Sequence, residues 1–290
     1  SEHNLFNIER ECQNNSHPVS FQPILGDIRD KTLLERVFSS FKPDVVFHAA
    51  AYKHVPMQEE HPWEAILTNI QGTLNLMNTA EDYNVNRFVL VSTDKAVNPT
   101  NIMGATKRIA EKLIQSKAID SKVKYMAVRF GNVIGSSGSV IPTFQEQIRN
   151  GGPVTLTDPG MKRYFMSISE AAQLILQTGA MGSNGEIYVL DMGNPVNIKD
   201  IAYELIRLSG LEPEKDILIE YIGSRPGEKM FEELKTEEEN IVETNNENIM
   251  MMKNGKGYNW NHMLEEVSKI IFSAKSYNTS KIVDSLKDFI

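Results

Sequence analysis

The sequence predicts an α/β fold built on a doubly wound parallel sheet, and two patterns along the chain indicate it. Short apolar runs rich in Val, Phe and Leu alternate with longer amphipathic stretches, as strands and helices alternate when helices cover both faces of a parallel sheet. Each of these apolar runs ends in small or polar residues. Because ligands bind beyond the carboxyl ends of the strands in such sheets, we expect the functional site there.

Four apolar runs in the first half of the chain predict buried strands, and the amphipathic stretches between them predict helices. The strands are FQPILGD (21–27), DVVFHAA (44–50), RFVLVST (87–93) and KYMAVRFG (124–131). The helices are predicted at 30–41, 61–83 and 101–118. We expect the site to be built from the loops that follow the strands, which read GDIRD, AAAYKHVP, STDKAVNP and RFGNVIGSSGS.

The later part of the chain mixes shorter elements and predicts a smaller lobe that closes over the sheet. Helices are predicted at 139–150, near 169–180 and after 197, and strands at 153–158, 186–191 and 216–223. After the loop SRPGEK (224–229) the chain continues in polar helical segments. We interpret residues 235–248 as a solvated surface segment and the run IMMM (249–252) as a buried strand or packing segment.

The composition excludes several classes of function. The chain has 290 residues, of which 41% are apolar and 23% charged, the balance of a soluble globular protein with a substantial core. A formal charge of −8 argues against a nucleic-acid partner, which usually requires a basic surface. No apolar run approaches the roughly 18–20 residues that span a bilayer, and no signal peptide opens the chain, so we expect no membrane segment.

Cysteine and histidine usage gives no support to a metal site. Cys12 is the single cysteine, so neither an intrachain disulfide nor a cysteine-based zinc site is possible. The six histidines show no ligand spacing, and we therefore predict no metal. A single cysteine also fits a reducing, cytoplasmic environment.

The stretch VSTDKAVNPTNIMGATK (91–107) is the most informative part of the sequence. It predicts a strand end, a polar loop and the start of a helix on which Met103 and Lys107 share one face, being four residues apart. Neighbouring Asp and Lys residues, as in Asp94 and Lys95, are by themselves more typical of a solvated turn than of a catalytic site. The surrounding motifs reverse that interpretation.

Several motifs together resemble the extended short-chain dehydrogenase/reductase group. They are STDKAVNPTNIMGATK, GDIRD, RFGNVIGSSGSVIPTF, AAAYKHVPMQE, TLTDPGMKRYFMSISEA and RPGEKMFEEL, and they cover nearly all of residues 18–235. Within that group the chain is most similar to the nucleotide-sugar 4,6-dehydratases of capsule and surface-polysaccharide synthesis, which act on UDP-N-acetylglucosamine. The resemblance implies a Rossmann-like nucleotide-binding domain at 1–132 and about 163–196, and a substrate lobe at about 133–162 and 197–290.

The opening of the chain departs from that family. The family begins with a strand, a glycine-rich turn and a helix that binds the cofactor pyrophosphate, whereas SEHNLFNIERECQ resembles the loop after the second strand. We therefore expect the first βα unit to be missing and strand edges to be left open. This observation keeps a second class of function open, namely a catalytically silent binding or assembly module or a fragment of a larger chain.

The helix carries a second departure, because Met103 stands where most of the superfamily has a tyrosine. A thioether cannot transfer a proton. The large-type dehydratases are similar in having methionine there, which implies that Thr93, Asp94 and Lys95 carry the proton chemistry. Asp94 would be the acid at the C6 hydroxyl, Lys95 the base at C5, and Thr93 a hydrogen-bond donor to the C4 oxygen. Lys107 would orient the nicotinamide ribose, and either Lys95 or a water could serve as the base for C4.

The resemblance also implies binding residues. Those expected to contact or support the cofactor are Asp27, Ile28, Ala49, Ala50, Ala51, Lys53, Asn69 and Lys107. Those expected to face the UDP part of the substrate are Asn132, Arg163, Arg225 and Glu228, since the planar arginine fork suits a diphosphate. The alternative for Arg163 and Arg225 is pairing with carboxylates such as Asp158 and Glu228.

The implied function is that of an NAD-dependent lyase, with NAD preferred to NADP. Hydride leaves C4 of the sugar, water is eliminated across C5 and C6, and hydride returns to C6, which gives a UDP-4-keto-6-deoxy sugar. A UDP-sugar 4-epimerase or reductase of the same fold is the alternative, although either would be expected to keep the tyrosine. We further expect a UDP-N-acetylglucosamine-like substrate, a homo-oligomer, no nucleic-acid partner, and a cytoplasmic protein or the soluble domain of a membrane-anchored one.

Overall fold

A six-stranded sheet lies at the centre of the structure, a computed structural model that describes residues 1–14, 20–237, 239–252 and 258–290. The strands are β1 Val45–His48, β2 Arg87–Val91, β3 Lys124–Arg129, β4 Asn132–Val133, β5 Val154–Leu156, β6 Lys162–Arg163, β7 Phe165–Met166, β8 Glu186–Leu190, β9 Val196–Asn197, β10 Ile219–Tyr221, β11 Ile241–Glu243 and β12 Ile249–Met252. The α-helices are α1 Glu2–Gln13, α2 Lys31–Phe41, α3 Val55–Glu60, α4 Pro62–Ala65, α5 Thr73–Asp82, α6 Ile102–Lys117, α7 Val140–Arg149, α8 Ile168–Met181, α9 Ile198–Leu208, α10 Trp260–Ala274 and α11 Thr279–Phe289.

The sheet has the order β1-β2-β3-β8-β12-β11. The first four of these strands are parallel, whereas β12 runs antiparallel to β8 and β11 antiparallel to β12. The predicted α/β class with a parallel sheet is therefore confirmed, as are the strands expected at 44–50, 87–93, 124–131 and 186–191 and at the IMMM run.

Helices cover both faces of the sheet, and the strand residues alternate between the two cores. Phe88 and Leu90 of β2 belong to the larger core, with α5, α6, α10 and α11, whereas Val89 belongs to the core under α8. A strand that is buried on both faces has a continuous run of apolar residues, and for this reason the apolar runs in the sequence predicted these strands. No helix in the described ranges is both long and apolar enough to cross a membrane.

A third group of buried residues lies outside the sheet. Phe144 and Ile148 of α7 pack against Ala202 and Ile206 of α9 and against the short parallel pair β5–β10. Of the elements predicted for the later part of the chain, α7, α9, β5 and β10 belong to this group, whereas α8 and β8 belong to the central sheet and its core. The boundaries expected between the two lobes stay a prediction.

Three expectations from the sequence are wrong. Residues 21–27 form no strand, and Leu25 there is 63% exposed, because no neighbouring strand supplies partners for the backbone; β1 is the edge strand. Residues 2–13 form the helix α1 in place of a loop, and the Ser1 side chain caps its first turn. The polar stretch 235–248 is not simply solvated, since it contributes the edge strand β11 to the sheet.

Candidate functional site

The loop between β2 and α6 places the predicted catalytic residues at the carboxyl end of the sheet. After Val91 the chain forms a short 3₁₀ turn over Asp94–Ala96, and α6 then begins at its N-cap, Asn101, whose Oδ1 accepts a hydrogen bond from the Gly104 N–H at 2.7 Å. A Cβ atom at Gly104 would overlap the carbonyl oxygen of Lys95. Glycine at 104 therefore allows the helix to pack directly on the turn that carries Asp94 and Lys95.

Asp94, Thr93 and Lys95 form one hydrogen-bonded cluster. The Thr93 hydroxyl and the Lys95 Nζ both donate to Asp94 Oδ1, each at 2.9 Å. The Asp94 side chain is fully buried, and its Oδ2 has no hydrogen-bond partner among the described residues. A solvated turn would expose this carboxylate, so the structure contradicts that interpretation of the Asp–Lys pair.

Glu232 completes this cluster, and the sequence reasoning missed it. Its side chain is only 3% exposed, with Oε1 3.9 Å from Lys95 Nζ and 4.0 Å from Arg163 Nη2. Burial raises the pKa of Glu232 and the charge of Asp94 adds to this effect, while Lys95, Arg163 and Lys229 oppose it. Glu232 lies in the RPGEKMFEEL motif, which could have indicated it. The family resemblance instead implied Glu228 of the same motif.

The predicted substrate residues occupy different environments. Arg163 is buried, and its guanidinium donates to the backbone carbonyls of Lys162, Lys229 and Met230 at 2.7 to 3.1 Å. This geometry favours an anchoring role for Arg163, and the carboxylate beside it is Glu232, neither Asp158 nor Glu228. The Asn132 Oδ1 accepts a hydrogen bond from Lys95 at 3.5 Å.

Arg225 and Glu228 form a turn in the loop 224–229. Arg225 is exposed, and the Glu228 carboxylate accepts a weak hydrogen bond from the Arg225 backbone N–H at 3.4 Å. The Arg225 guanidinium makes no ion pair or hydrogen bond with the described residues, which leaves it available for an anionic ligand.

Met103 and Lys107 lie on the buried face of α6, as the four-residue spacing predicts. The Lys107 Nζ donates to the Val91 carbonyl oxygen at 2.6 Å. Burial lowers the pKa of Lys107 to about 8, an effect that the charge of Glu111 partly opposes. Met103 is almost fully buried and contributes packing.

A turn of π-helix over Ile66–Gly72 presents Asn69 to the site. The Asn69 amide donates to the Thr106 hydroxyl and to the Tyr52 carbonyl, each at 3.0 Å, and its Oδ1 accepts from the Tyr52 N–H at 2.8 Å. Asn69 therefore holds the loop after β1 against α6, a supporting role of the kind that the resemblance implies. Single π-helical turns of this kind occur frequently at functional sites.

Four of the remaining predicted cofactor residues, Ala49, Ala50, Ala51 and Lys53, follow β1. Ala49 and Ala50 follow β1 and are exposed, and Ala51 is half-buried. The exposed Lys53 has a pKa lowered by burial of part of its side chain and by the charge of Lys95. The three alanines present only methyl groups here, as expected for residues beside a closely approaching cofactor.

Asp27 and Ile28 lie in the segment without helix or strand that precedes α2. The Asp27 carboxylate accepts hydrogen bonds from the Arg29 guanidinium at 2.7 to 3.1 Å, and these hold the pKa of Asp27 below its ordinary value. Ile28 packs against Gly72. Ahead of β1, Gly26 is the only glycine, so the residues described there contain no glycine-rich turn for a pyrophosphate. In the part of the chain that the structure describes, no group of three or more acidic, His or Cys side chains could hold a metal ion.

Comparisons with known proteins identify the family of the chain. The profile of a family described as polysaccharide biosynthesis protein matches residues 1–254. The capsular polysaccharide biosynthesis protein CapD of Staphylococcus aureus is 54% identical over 240 residues, which are 82% of this chain and 40% of that protein. The chain thus spans less than half the length of this curated relative.

Solved structures show the same fold. The X-ray structure of Pen from Bacillus thuringiensis superposes with a TM-score of 0.80 at 35% identity, covering 89% of this chain and 80% of that one. A UDP-glucose 4-epimerase from Thermus thermophilus, solved with NAD, gives a TM-score of 0.66 at 25% identity, covering 72% of this chain and 75% of that one.

Proposed function

The chain belongs to the polysaccharide biosynthesis protein family, and from this premise we propose that it is an NAD-dependent 4,6-dehydratase acting on UDP-N-acetylglucosamine. The observation that carries the proposal is the buried cluster of Thr93, Asp94 and Lys95 at the carboxyl end of β2. Elimination of water across C5 and C6 requires an acid and a base close together, and the adjacent Asp94 and Lys95 supply one of each.

The hydrogen bonds of Asp94 support the proposal that Oδ2 is the oxygen of the acid. Oδ1 accepts from Thr93 and Lys95, whereas the buried Oδ2 is unpartnered among the described residues. A carboxyl proton on Oδ2 would face the C6 hydroxyl of a bound sugar.

The elimination balances with these two side chains. Neutral Lys95 takes the proton from C5, the electron pair of that C–H bond forms the C5–C6 double bond, and the C6–O bond breaks. The departing hydroxyl takes the Asp94 proton and leaves as water. Bound NAD would supply the hydride acceptor for C4 and the hydride donor for C6, with Ala49, Ala50 and Lys107 among the residues that hold it.

The substrate's diphosphate would be bound at the rim of the cluster. Arg225 is exposed on the loop 224–229 with its guanidinium free of the described residues, and Asn132 already contacts Lys95. Arg163 would act indirectly, because its donors hold the backbone of Lys229 and Met230 in place.

A UDP-sugar 4-epimerase is the second candidate, favoured by the fold shared with the Thermus epimerase. Epimerisation at C4 needs proton transfer at the C4 oxygen and leaves C5 and C6 intact. Met103 stands at the helix position where a proton-transferring tyrosine is expected and cannot perform that step. This absence of a phenol on the α6 face favours the dehydratase.

Incubation of the protein with UDP-N-acetylglucosamine, with and without added NAD, tests the proposal by mass spectrometry. We expect loss of one water from the sugar nucleotide, and no loss with Asp94→Asn, which keeps the shape of the side chain. An unchanged mass with a new UDP-sugar isomer in the NMR spectrum would indicate the epimerase. An unchanged substrate with a folded, NAD-supplemented protein would contradict both enzymes.

A further inference from the structure

The π-helical turn over Ile66–Gly72 ends in hydrogen bonds that differ from those of an α-helix. In an α-helix the N–H of Thr73 would donate to the carbonyl of Asn69, four residues earlier. Here that N–H donates to the Ile70 carbonyl, and the Thr73 hydroxyl donates to the Asn69 carbonyl oxygen at 2.6 Å. The Thr73 side chain therefore takes the place of its own backbone N–H at the Asn69 carbonyl.

His48, the last residue of β1, contacts the same hydroxyl. Its Nε2 lies 2.8 Å from Thr73 Oγ1, and both side chains are buried. The hydroxyl has a single proton, and its 2.6 Å contact with a carbonyl oxygen, which can only accept, requires the proton there. The Thr73 oxygen can therefore only accept from His48, so the imidazole proton lies on Nε2.

The charge state of His48 agrees with this tautomer. Burial lowers the pKa of His48 to about 3, and the charge of Lys107 adds to this effect. The imidazole is therefore neutral near pH 7 and has one N–H. A proton on Nδ1 would meet no acceptor among the described residues, and it would leave Nε2 and the Thr73 oxygen in contact with no proton between them.

We propose that His48 is a positioning residue: its Nε2–H fixes the Thr73 hydroxyl, and that hydroxyl holds the π-helical turn that presents Asn69 to the site. The Asn69 side chain in turn bonds the backbone of Tyr52 and the hydroxyl of Thr106. One hydrogen-bonded path thus joins β1, the loop after it and α6. The contribution of this path to turnover rests on the proposed function, whereas its effect on the loop after β1 does not.

The simpler alternative is that Thr73 is an ordinary helical threonine. Threonine hydroxyls often donate to the carbonyl four residues earlier, and Thr178 of α8 is such a case. Its buried hydroxyl donates to the Leu174 carbonyl at 2.8 Å, on the opposite face of the sheet from α6. Thr178→Val therefore removes the same kind of bond from an equally buried threonine, and it serves as the matched control.

Hydrogen–deuterium exchange of the Tyr52 amide, followed by NMR, tests the proposal without substrate. The Tyr52 N–H donates to Asn69 Oδ1 at 2.8 Å, so its exchange rate reports on how firmly the turn presents Asn69. Thr73→Val keeps the branched shape and removes the hydroxyl. We expect it to accelerate this exchange about fivefold, the loss of one neutral hydrogen bond. Thr73→Ser, which keeps the hydroxyl, should restore the wild-type rate, and Thr178→Val should leave it unchanged.

The second measurement is the tautomer of His48 in the wild type. NMR of the ¹⁵N-labelled imidazole, assigned with His48→Gln, should show the proton on Nε2. Should Thr73→Val not fold, His48→Leu removes the donor and should accelerate the Tyr52 exchange in the same way. A proton on Nδ1, or an unchanged Tyr52 exchange rate in either folded variant, overturns the inference.

These outcomes are separate from those of the proposed function. A protein that shows the Nε2–H tautomer and the faster exchange of Thr73→Val, but leaves UDP-N-acetylglucosamine unchanged, would support the role of His48 and contradict the proposed function. A protein that dehydrates the sugar while its His48 proton lies on Nδ1 would support the proposed function and overturn the role of His48.

Discussion

Glu111 and Arg129 form a fully buried, two-pronged ion pair behind the candidate site. Arg129 Nε donates to Glu111 Oε1 and Nη2 donates to Oε2, both at 2.7 Å, and neither side chain is exposed to solvent. Ser92, at the end of β2, donates to the same Glu111 carboxylate at 2.7 Å. The pair therefore fixes α6, which carries Lys107 one turn earlier, against the strand end that leads into Asp94.

The first prediction concerns the loss of one partner of this pair. Glu111→Gln should lower the free energy of unfolding by about 3 kcal/mol, because it leaves the Arg129 guanidinium buried and incompletely paired. Urea denaturation followed by circular dichroism measures the change. Glu265→Gln on the exposed face of α10 is the control, and it should change stability by less than about 0.5 kcal/mol.

The carboxylates of Glu111 and Glu239 both pair with Arg129, and they determine how stability responds to acid. Burial would raise the pKa of Glu111 and of Glu239, but the Arg129 guanidinium holds both below their ordinary values. Their contribution to stability is therefore complete above the unfolded pKa near about 4.3 and is lost as the pH falls through the lower folded values. Glu111→Gln should show a shallower loss of stability below about pH 4 than the wild type; an equally steep loss would contradict this assignment.

The lowered pKa of Lys107 predicts a change in protein stability at alkaline pH. Its pKa of about 8 in the folded protein lies below the unfolded value of about 10.4, so the unfolded chain binds more protons between these values and stability rises with pH. Between about pH 8 and about pH 10 the wild type should gain about 2 kcal/mol relative to Lys107→Met. Urea titrations of both proteins at several pH values measure the difference, and two parallel curves would show that the pKa of Lys107 is not lowered.

The parallel strands and the loop that carries the candidate site could be predicted from the sequence, whereas the buried charged residues behind them could not. Strands β2 and β3 are buried on both faces, so their apolar runs identify them locally, and the polar residues of the site follow at the strand ends. Residues 21–27 show a similar run, yet a strand requires a neighbour, which a local pattern does not specify. An apolar run alone is therefore not sufficient to predict a strand.

The hydrophobic pattern of the sequence also could not show which charged residues are buried. Glu239 lies in a polar stretch, and it is held inside by Arg129, which lies 110 residues earlier. Glu232 and Glu233 are neighbours of identical chemistry, and only the tertiary path of the chain places the first in the cluster and leaves the second 43% exposed. Long-range pairing of this kind leaves no periodic signal in the sequence.

Met103 should behave as a packing residue. Met103→Leu conserves volume and apolar character, so we expect a stability loss of less than about 1.5 kcal/mol and a kcat that stays within a few-fold of the wild type. Steady-state kinetics with denaturation curves test both expectations. A hundredfold loss of kcat in a protein of unchanged stability would assign the thioether a direct role and revise the proton assignments.

The two arginines predicted to face the substrate should respond differently to substitution. Arg163→Lys loses the planar fork that donates to the carbonyls of Lys229 and Met230, and the loss of a hydrogen bond from a charged group costs about 1.5 to 3 kcal/mol. This variant should lose thermal stability and kcat together, since the segment that holds Glu232 loosens.

Arg225→Gln alters an exposed side chain and should leave the unfolding temperature unchanged while raising KM about tenfold, the loss expected for one charged hydrogen bond to the diphosphate. An unchanged KM in Arg225→Gln would contradict its contact with the diphosphate, and a raised KM with full stability in Arg163→Lys would assign that contact to Arg163.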